Sequence, residues 1–325
     1  MKLPELPLID GCFLIDNSTL ETLTTCPRAL QYSKLNRRIA AGAKPSLTFG
    51  SALHNALEYR YKTAGNGILT DDQKAAQMQV IADYFAENPA TDDDYRNANW
   101  AIELVKKYNA IYPTEPFNVL VDDKGQTLCE LSFALPLFNY THNGTTIPVI
   151  YMGRIDLPVQ WDGGIWILDH KTTSVLGPTY FEAATMSAQF LGYLWAFQTL
   201  TKKACQGFII NALRVKQPPA KPKDGLDSWW RESFQRQRYH VTEAQITEWK
   251  ANTIALVKEF FWHYENAYFP MKTSWCVGKY GKCQYFDICS LPEGNRDTML
   301  TSTLYQDNTW SPLNKNKTTN NTTTV

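Results

Sequence analysis

Two aspartates and a lysine in the middle of the chain have the types and spacing for metal-dependent chemistry. They stand in Gly153-Arg154-Ile155-Asp156 and in Ile165-Trp166-Ile167-Leu168-Asp169-His170-Lys171, on either side of Trp161-Asp162-Gly163-Gly164. β-Branched and aromatic residues flanking an Asp-Gly turn predict two strands joined as a hairpin. Side chains two apart on a strand share a face, so Asp169 and Lys171 point the same way, and the hairpin brings Asp156 back beside them. Two carboxylates can hold a hard divalent cation, and an ammonium beside it can orient or help deprotonate an attacking water. Metal-assisted phosphodiester hydrolysis needs such a set. The plainer alternative is a surface salt bridge ending a buried strand. Asp/Glu-x-Lys also occurs at Asp72-Gln73-Lys74, Asp122-Asp123-Lys124 and Glu248-Trp249-Lys250, without that setting.

The elements that must position these residues change character along the chain. The first third reads as helical. A capping box, Ser18-Thr19-Leu20-Glu21, opens a helix over 18–35 that is interrupted at Cys26-Pro27. A loop over 44–49 precedes a helix over 52–62 with Ser51 as its N-cap, and further helices are expected at 71–87 and 95–112. From Pro116 the pattern turns to strands at 118–122, 128–135, 149–160 and 165–171. A helix over 180–200, a strand at 207–215, a strand at 236–241 and an amphipathic helix over 243–264 follow. Antiparallel strands followed by helix and strand indicate an α/β fold with a mixed sheet.

Composition permits a sizeable core: 44% of the 325 residues are hydrophobic and 13% aromatic, which excludes global disorder. Net charge is zero, so the overall balance lends nothing to nucleic-acid binding. Charge is uneven, however: residues 201–240 carry nine Lys/Arg against three Asp/Glu, and 71–95 carry one Lys against seven acids. A basic face or merely a solvated one would explain the first run. The segment 1–15 contains Glu5, Asp10 and two prolines, no stretch approaches a membrane span, and no phosphate-binding Gly-x-x-x-x-Gly-Lys-Ser/Thr occurs. The expected location is cytoplasmic, with no membrane partner.

Further polar residues fall in a telling order. Gly50-Ser51-Ala52-Leu53-His54 lies at a helix start. Glu130 lies in the strand expected at 128–135, and Gln189-Phe190-Leu191-Gly192-Tyr193 places two polar residues four apart on one helix face. Taken singly, each has an ordinary explanation as a surface or strand-edge group. Gly-x-x-x-His, Glu, Gly-x-x-Asp, Asp-x-Lys and Gln-x-x-x-Tyr in this order resemble the RecB-like branch of the PD-(D/E)XK nuclease superfamily, which includes the AddB-type and Cas4-type exonucleases. The resemblance covers roughly residues 50–195 and implies a restriction-endonuclease-like mixed sheet flanked by helices. It also implies that Asp156 and Asp169 ligate Mg²⁺ or Mn²⁺, with the His170 carbonyl and His54 completing the shell. Lys171 would position the water, Glu130 would support the metal or a nearby water, and Gln189 and Tyr193 would hold the DNA backbone.

Seven cysteines are present. Cys129 and Cys205, in or beside apolar strands, read as core residues, and Cys12 has no assignment. Cys276, Cys283 and Cys289 cluster in a Gly/Lys/aromatic loop, and with Cys26 far upstream they could form a four-thiolate site that pins the two ends of the chain. The same nuclease branch often carries a [4Fe–4S] cluster on one early and three late cysteines, and these four match that order. The first late gap is six residues where the family pattern has two. Zinc is the alternative occupant.

Trp229-Trp230-Arg231 and the stretch holding Arg236 and Arg238 interleave aromatics with bases. Such a pattern suits stacking on single-stranded DNA, or else a strand with Arg236 and Arg238 on its solvent face and a partly buried Trp pair. The expected organisation is an N-terminal segment (1–48), a nuclease core (49–270) with a helical insertion at about 63–115, a cysteine segment (271–295) and a disordered tail (296–325). The expected activity is metal-dependent DNA exonucleolysis in recombination, repair or phage DNA processing, alongside a separately encoded helicase or recombinase. A non-catalytic DNA-binding or assembly module on the same fold, and a zinc-clipped structural protein, are the alternatives.

Overall fold

The computed structural model describes residues 3–42, 45–89, 95–278 and 281–308. Its chain divides into two units, one built from 43–131 and 154–246, the other from 1–42, 132–153 and 247–325. All the residues of the five nuclease-like motifs from His54 to Tyr193 fall in the first unit, apart from Gly153. All four clustered cysteines fall in the second.

The first unit is a five-stranded mixed sheet. Its strands are β1 (Asn118–Val119), β2 (Leu157–Trp161), β3 (Gly164–Thr173), β4 (Gly207–Arg214) and β5 (Phe234–His240), in spatial order β5-β4-β3-β2-β1. Strands β3 and β4 are parallel and the other neighbours antiparallel. Strand β3 is buried from Trp166 to His170, as a central strand covered on both faces must be.

Helices α1 (Pro45–Ala64), α2 (Asp71–Glu87) and α3 (Ala98–Ile111) share one core with the sheet. In α1 the buried residues Phe49, Ala52, Leu53, Ala56, Leu57, Arg60 and Tyr61 recur every three or four positions, which makes one continuous inward stripe. Two shorter helices, α4 (Pro178–Ala184) and α5 (Ala188–Thr201), follow β3. Phe190 of α5 stacks on Phe208 of β4 at 4.2 Å between ring centroids.

Several expected boundaries moved. Helix α1 begins at Pro45, a residue suited to a first turn because it lacks the N–H that would go unpaired there, so Ser51 is interior and not a cap. Lys44 lies outside the described residues. The strand expected at 149–160 is two strands broken at Asp156, and the helix expected at 180–200 is broken at 185–187. Glu130 is not in a strand: it precedes Leu131–His142 in a turn, with φ of 55°.

The second unit carries a four-stranded sheet in the order Leu8–Ile9, Cys12–Ile15, Thr145–Ile155, Leu131–His142. Phe13 and Tyr140 of this sheet stack on Phe260 and Phe261 of the long helix Glu243–Glu265. Its N-terminal helix, Asn17–Thr25, is capped by Asp16 and not by Ser18. Asp16 Oδ1 accepts from the Thr19 N–H (2.8 Å) and the Thr19 hydroxyl (2.6 Å). Asp16→Ala is expected to lower stability by about 1 kcal/mol in urea unfolding, with Ser18→Ala near neutral.

Residues 296–308, expected to be disordered, are structured: Arg296–Leu300 is helical and Tyr305–Asp307 pairs with Arg38–Ala40. Tyr305 supplies the apolar anchor, since it packs with Tyr32, Tyr285 and Ile288 in a separate small core. The rest of the expected tail, 309–325, lies outside the described residues. Among the described residues no helix is long and apolar enough to cross a membrane.

Candidate active site

The Asp162-Gly163 turn has φ of 49° and 75°, the left-handed pair of a two-residue hairpin, and it sets the register Leu157↔Leu168 between β2 and β3. Asp156, at the interruption between two strands just before β2, therefore falls beside Asp169. Its Oδ2 accepts the His170 backbone N–H at 2.9 Å and lies 3.2 Å from His54 Nδ1. Helix α1 delivers His54. Gly50, one turn earlier, faces Thr172 of β3 so closely that a Cβ there would sit 3.3 Å from the Thr172 hydroxyl. The glycine lets the helix approach the strand end.

Glu130 completes the cluster from its turn, anchored by its own N–H on the Asp156 carbonyl at 2.8 Å. Donor atoms of His54, Glu130 and Asp156 all lie within 4.8 Å of one another. Asp169, expected as a direct partner of Asp156 on a cation, lies outside this closest grouping. Its Oδ2 pairs with Lys171 Nζ at 2.7 Å, because alternate side chains of β3 carry Asp169 and Lys171 together. Lys171 Nζ donates to Gln189 Oε1 (2.9 Å), and the Gln189 amide donates to the Tyr193 hydroxyl (2.9 Å). The four-residue spacing on α5 aligns these two as expected.

The electrostatics follow from burying so many charges together. Burial and the Asp156 carboxylate push Glu130 up to about 8, against the Arg154 guanidinium that pairs with it. Burial also opposes ionisation of Asp156, but His54, His170 and Lys171 outweigh it and hold Asp156 well below the usual carboxylate range. Asp169, raised by burial and by Asp156 against the pull of Lys171, reaches about 6. Burial disfavours the charged forms of His54 and Lys171. The surrounding carboxylates reverse this, lifting His54 to about 9 and Lys171 above its ordinary value. Burial keeps the His170 ring neutral, down at about 3.

This donor set fits a hard divalent cation. Glu130 Oε2 and Asp169 Oδ2 are buried and lack a well-directed hydrogen bond, each being met only by an ion pair, with Arg154 and with Lys171. Carboxylates crowded in this way repel one another unless a cation lies among them.

The sequence over residues 17–290 matches the PD-(D/E)XK nuclease superfamily. The chain belongs to that superfamily. Its members use divalent metals, in keeping with the acidic cluster at the β2–β3 end. No curated protein matches the chain. Several solved structures resemble it, among them two at low identity. One, from Eubacterium rectale and described as a candidate exonuclease, shares 13% identity over 89% of this chain and 93% of its own, with a TM-score of 0.47. The other, named SSO0001, shares 12% identity over 63% of this chain and 74% of its own, with a TM-score of 0.23.

The aromatic and basic stretch does not form one surface. Trp230 is buried against Trp100, and its neighbour Trp229 packs on the same core. Arg236, expected at DNA, points inward to a buried carboxylate, Glu115, at 2.5 Å. Strand alternation leaves the face of a central residue open, and an acid 121 positions away decides it here. Arg238 is exposed but paired with Asp162 at 2.5 Å, and Arg231 is exposed.

In the second unit, Cys26, Cys283 and Cys289 pack on the core of Tyr32, Tyr285 and Ile288, and the Cys283 N–H donates to the Cys276 carbonyl at 2.8 Å. Burial and the charge of neighbouring cysteines raise the Cys276 and Cys289 thiols, with Arg28 working against this at Cys289. Cys129 and Cys205 are buried, and burial pushes their thiols up to about 12, where they are unreactive. Sequence reasoning missed Arg154, Glu115, Asn211, Tyr61 and Tyr108 near the site. Only Arg154, inside the Gly-x-x-Asp motif, carried a signal that could have found it.

Proposed function

We propose that the protein is a metal-dependent DNA nuclease acting exonucleolytically in recombination, repair or phage DNA processing. The convergence of His54, Glu130 and Asp156 at the end of β2–β3, with the Asp169–Lys171 pair beside them, carries this reading.

Asp156 and Glu130 would hold Mg²⁺ or Mn²⁺ together with His54, and Asp169 and the His170 carbonyl would complete the set. The cation would supply Lewis acidity toward a phosphate oxygen and a more acidic water. Asp169 keeps Lys171 an ammonium, so its work is to donate a hydrogen bond to the attacking water or the developing phosphorane charge, not to remove a proton. Gln189 fixes the Lys171 side chain from the other side, and Tyr193 fixes Gln189. Imidazole among the ligands favours Mn²⁺ over Mg²⁺.

Cys26, Cys276, Cys283 and Cys289 would hold a structural [4Fe–4S] cluster, with zinc the competing occupant. Metal analysis and visible absorbance of the purified protein distinguish the two. A helicase or recombinase would supply the DNA ends, and the setting would be the cytoplasm.

End-labelled single- and double-stranded DNA, incubated with the protein and Mg²⁺ or Mn²⁺, tests the reading. Stepwise loss of mononucleotides or short products from an end, abolished by EDTA and by Asp156→Asn, is expected. Intact DNA under all these conditions, with protein that binds Mn²⁺, would favour the non-catalytic module.

A further inference from the structure

Behind the acidic cluster, the first unit buries a ladder of polar residues across three neighbouring strands. His170 of β3 stands in register with Asn211 of β4, and Asn211 with Arg236 of β5. Their side chains meet in the same order. The Asn211 amide nitrogen lies 2.7 Å from His170 Nδ1, and Arg236 Nε donates to Asn211 Oδ1 at 2.9 Å. Glu115 ends the ladder, accepting from both terminal guanidinium nitrogens of Arg236 at 2.5 and 3.0 Å. The Tyr61 hydroxyl donates to Glu115 (2.8 Å), and Arg236 donates to the Tyr108 hydroxyl (2.7 Å). Asn211 is fully buried, and His170 and Glu115 nearly so.

The chemistry of these groups permits one arrangement. A guanidinium only donates, so Asn211 must turn its carbonyl toward Arg236 and its NH₂ toward His170. An amide NH₂ only donates, so His170 Nδ1 must accept, and the ring proton sits on Nε2. Tyr61 stacks flat on that ring, 5.5 Å between centroids and 12° between planes. The ring of His170 is thus held by a hydrogen bond at one edge and by an aromatic face. Its backbone N–H, in turn, holds Asp156 Oδ2.

Resting on the metal-site reading above, we propose that Asn211 and Arg236 are positioning residues of that site. They act through His170, whose ring they orient and whose main chain sets the Asp156 carboxylate. Hydrogen-bonding partners behind a metal site commonly govern affinity by about 10- to 100-fold.

Asn211→Asp separates this role from bulk stability. The carboxylate keeps the volume and still accepts from Arg236, but it can no longer donate to His170 Nδ1. Three measurements on wild type and on Asn211→Asp and Arg236→Lys decide the matter: the ¹⁵N spectrum of the His170 ring in metal-free protein, Mn²⁺ binding by calorimetry, and thermal melting. In wild type the spectrum is expected to show the Nε2–H tautomer. In Asn211→Asp the Nδ1 position is expected to gain the proton and Mn²⁺ binding to weaken about 10-fold or more, with the protein still folded. Arg236→Lys keeps one donor for Asn211 and is expected to retain the tautomer while losing less affinity. Wild-type tautomer and wild-type Mn²⁺ affinity in folded Asn211→Asp would overturn the proposal, as would a wild-type His170 protonated on Nδ1. None of the three measurements uses DNA, so a wild type that binds Mn²⁺ and leaves DNA uncut removes the nuclease reading while this inference is still decided by the tautomer and by binding.

Discussion

Lys171→Ala is expected to cleave DNA on the order of 10³-fold more slowly than wild type at saturating Mn²⁺, with Mn²⁺ binding changed by only a few-fold. Lys171 is no member of the His54/Glu130/Asp156 grouping, so its loss removes no ligand. It removes an ammonium placed by two partners, Asp169 at 2.7 Å and Gln189 at 2.9 Å. Lys171→Gln is expected to lose less, because its amide can still donate a hydrogen bond but carries no charge to offset that growing on the phosphate oxygens.

Removing Lys171 also leaves Asp169 buried without its counter-charge, which costs several kcal/mol in a metal-free protein. The comparison therefore belongs at saturating metal, with melting followed in parallel. Single-turnover rates and Mn²⁺ calorimetry give the two numbers. Near-normal cleavage by a folded, Mn²⁺-loaded Lys171→Ala protein would refute the assignment.

Where local chemistry decides geometry, the sequence could be read directly. The Asp162-Gly163 turn fixes a hairpin register, and that register carries Asp156 to Asp169. Gln189 and Tyr193 align because a helix repeats nearly every four residues.

Where long-range burial decides, the reading failed. Glu130 sits at a left-handed backbone angle, a conformation few side chains adopt and none announces; residues held that way gather at functional sites. Arg236 occupies an alternating strand whose inward face depends on Glu115, an acid with no motif around it. The helix start at Pro45 was obscured by Ser51, a good cap residue that is satisfied inside a helix already under way. Residues 296–308 look polar and weakly structured in composition. Leu300 and Tyr305 supply the buried anchors that order them.

Cys26→Ala is expected to have the largest effect on stability. Cys26 begins the short helix Pro27–Leu30, and the next residue but one, Arg28, ties this segment to the chain after the long helix: its N–H donates to the Pro270 carbonyl at 3.2 Å and its Nε to the Phe269 carbonyl at 2.7 Å. Those two bonds join chain ends some 250 residues apart in sequence (26 to 276), together with the pairing of Tyr305–Asp307 on Arg38–Ala40 and the small core of Tyr32, Tyr285, Ile288 and Tyr305. Closing a loop of that length costs chain entropy that these contacts must offset. A metal group on four thiolates, present only in the folded chain, would return its binding free energy as folding free energy. Losing one of the four is therefore expected to cost several kcal/mol and to bleach any iron–sulfur absorbance. Unit-selective proteolysis should open 271–308 first, while the sheet carrying Asp156 stays resistant. Cys12→Ala, outside the cluster, is the matched control and should melt like wild type. A Cys26→Ala protein with unaltered metal content and melting temperature would show that these thiols share no group.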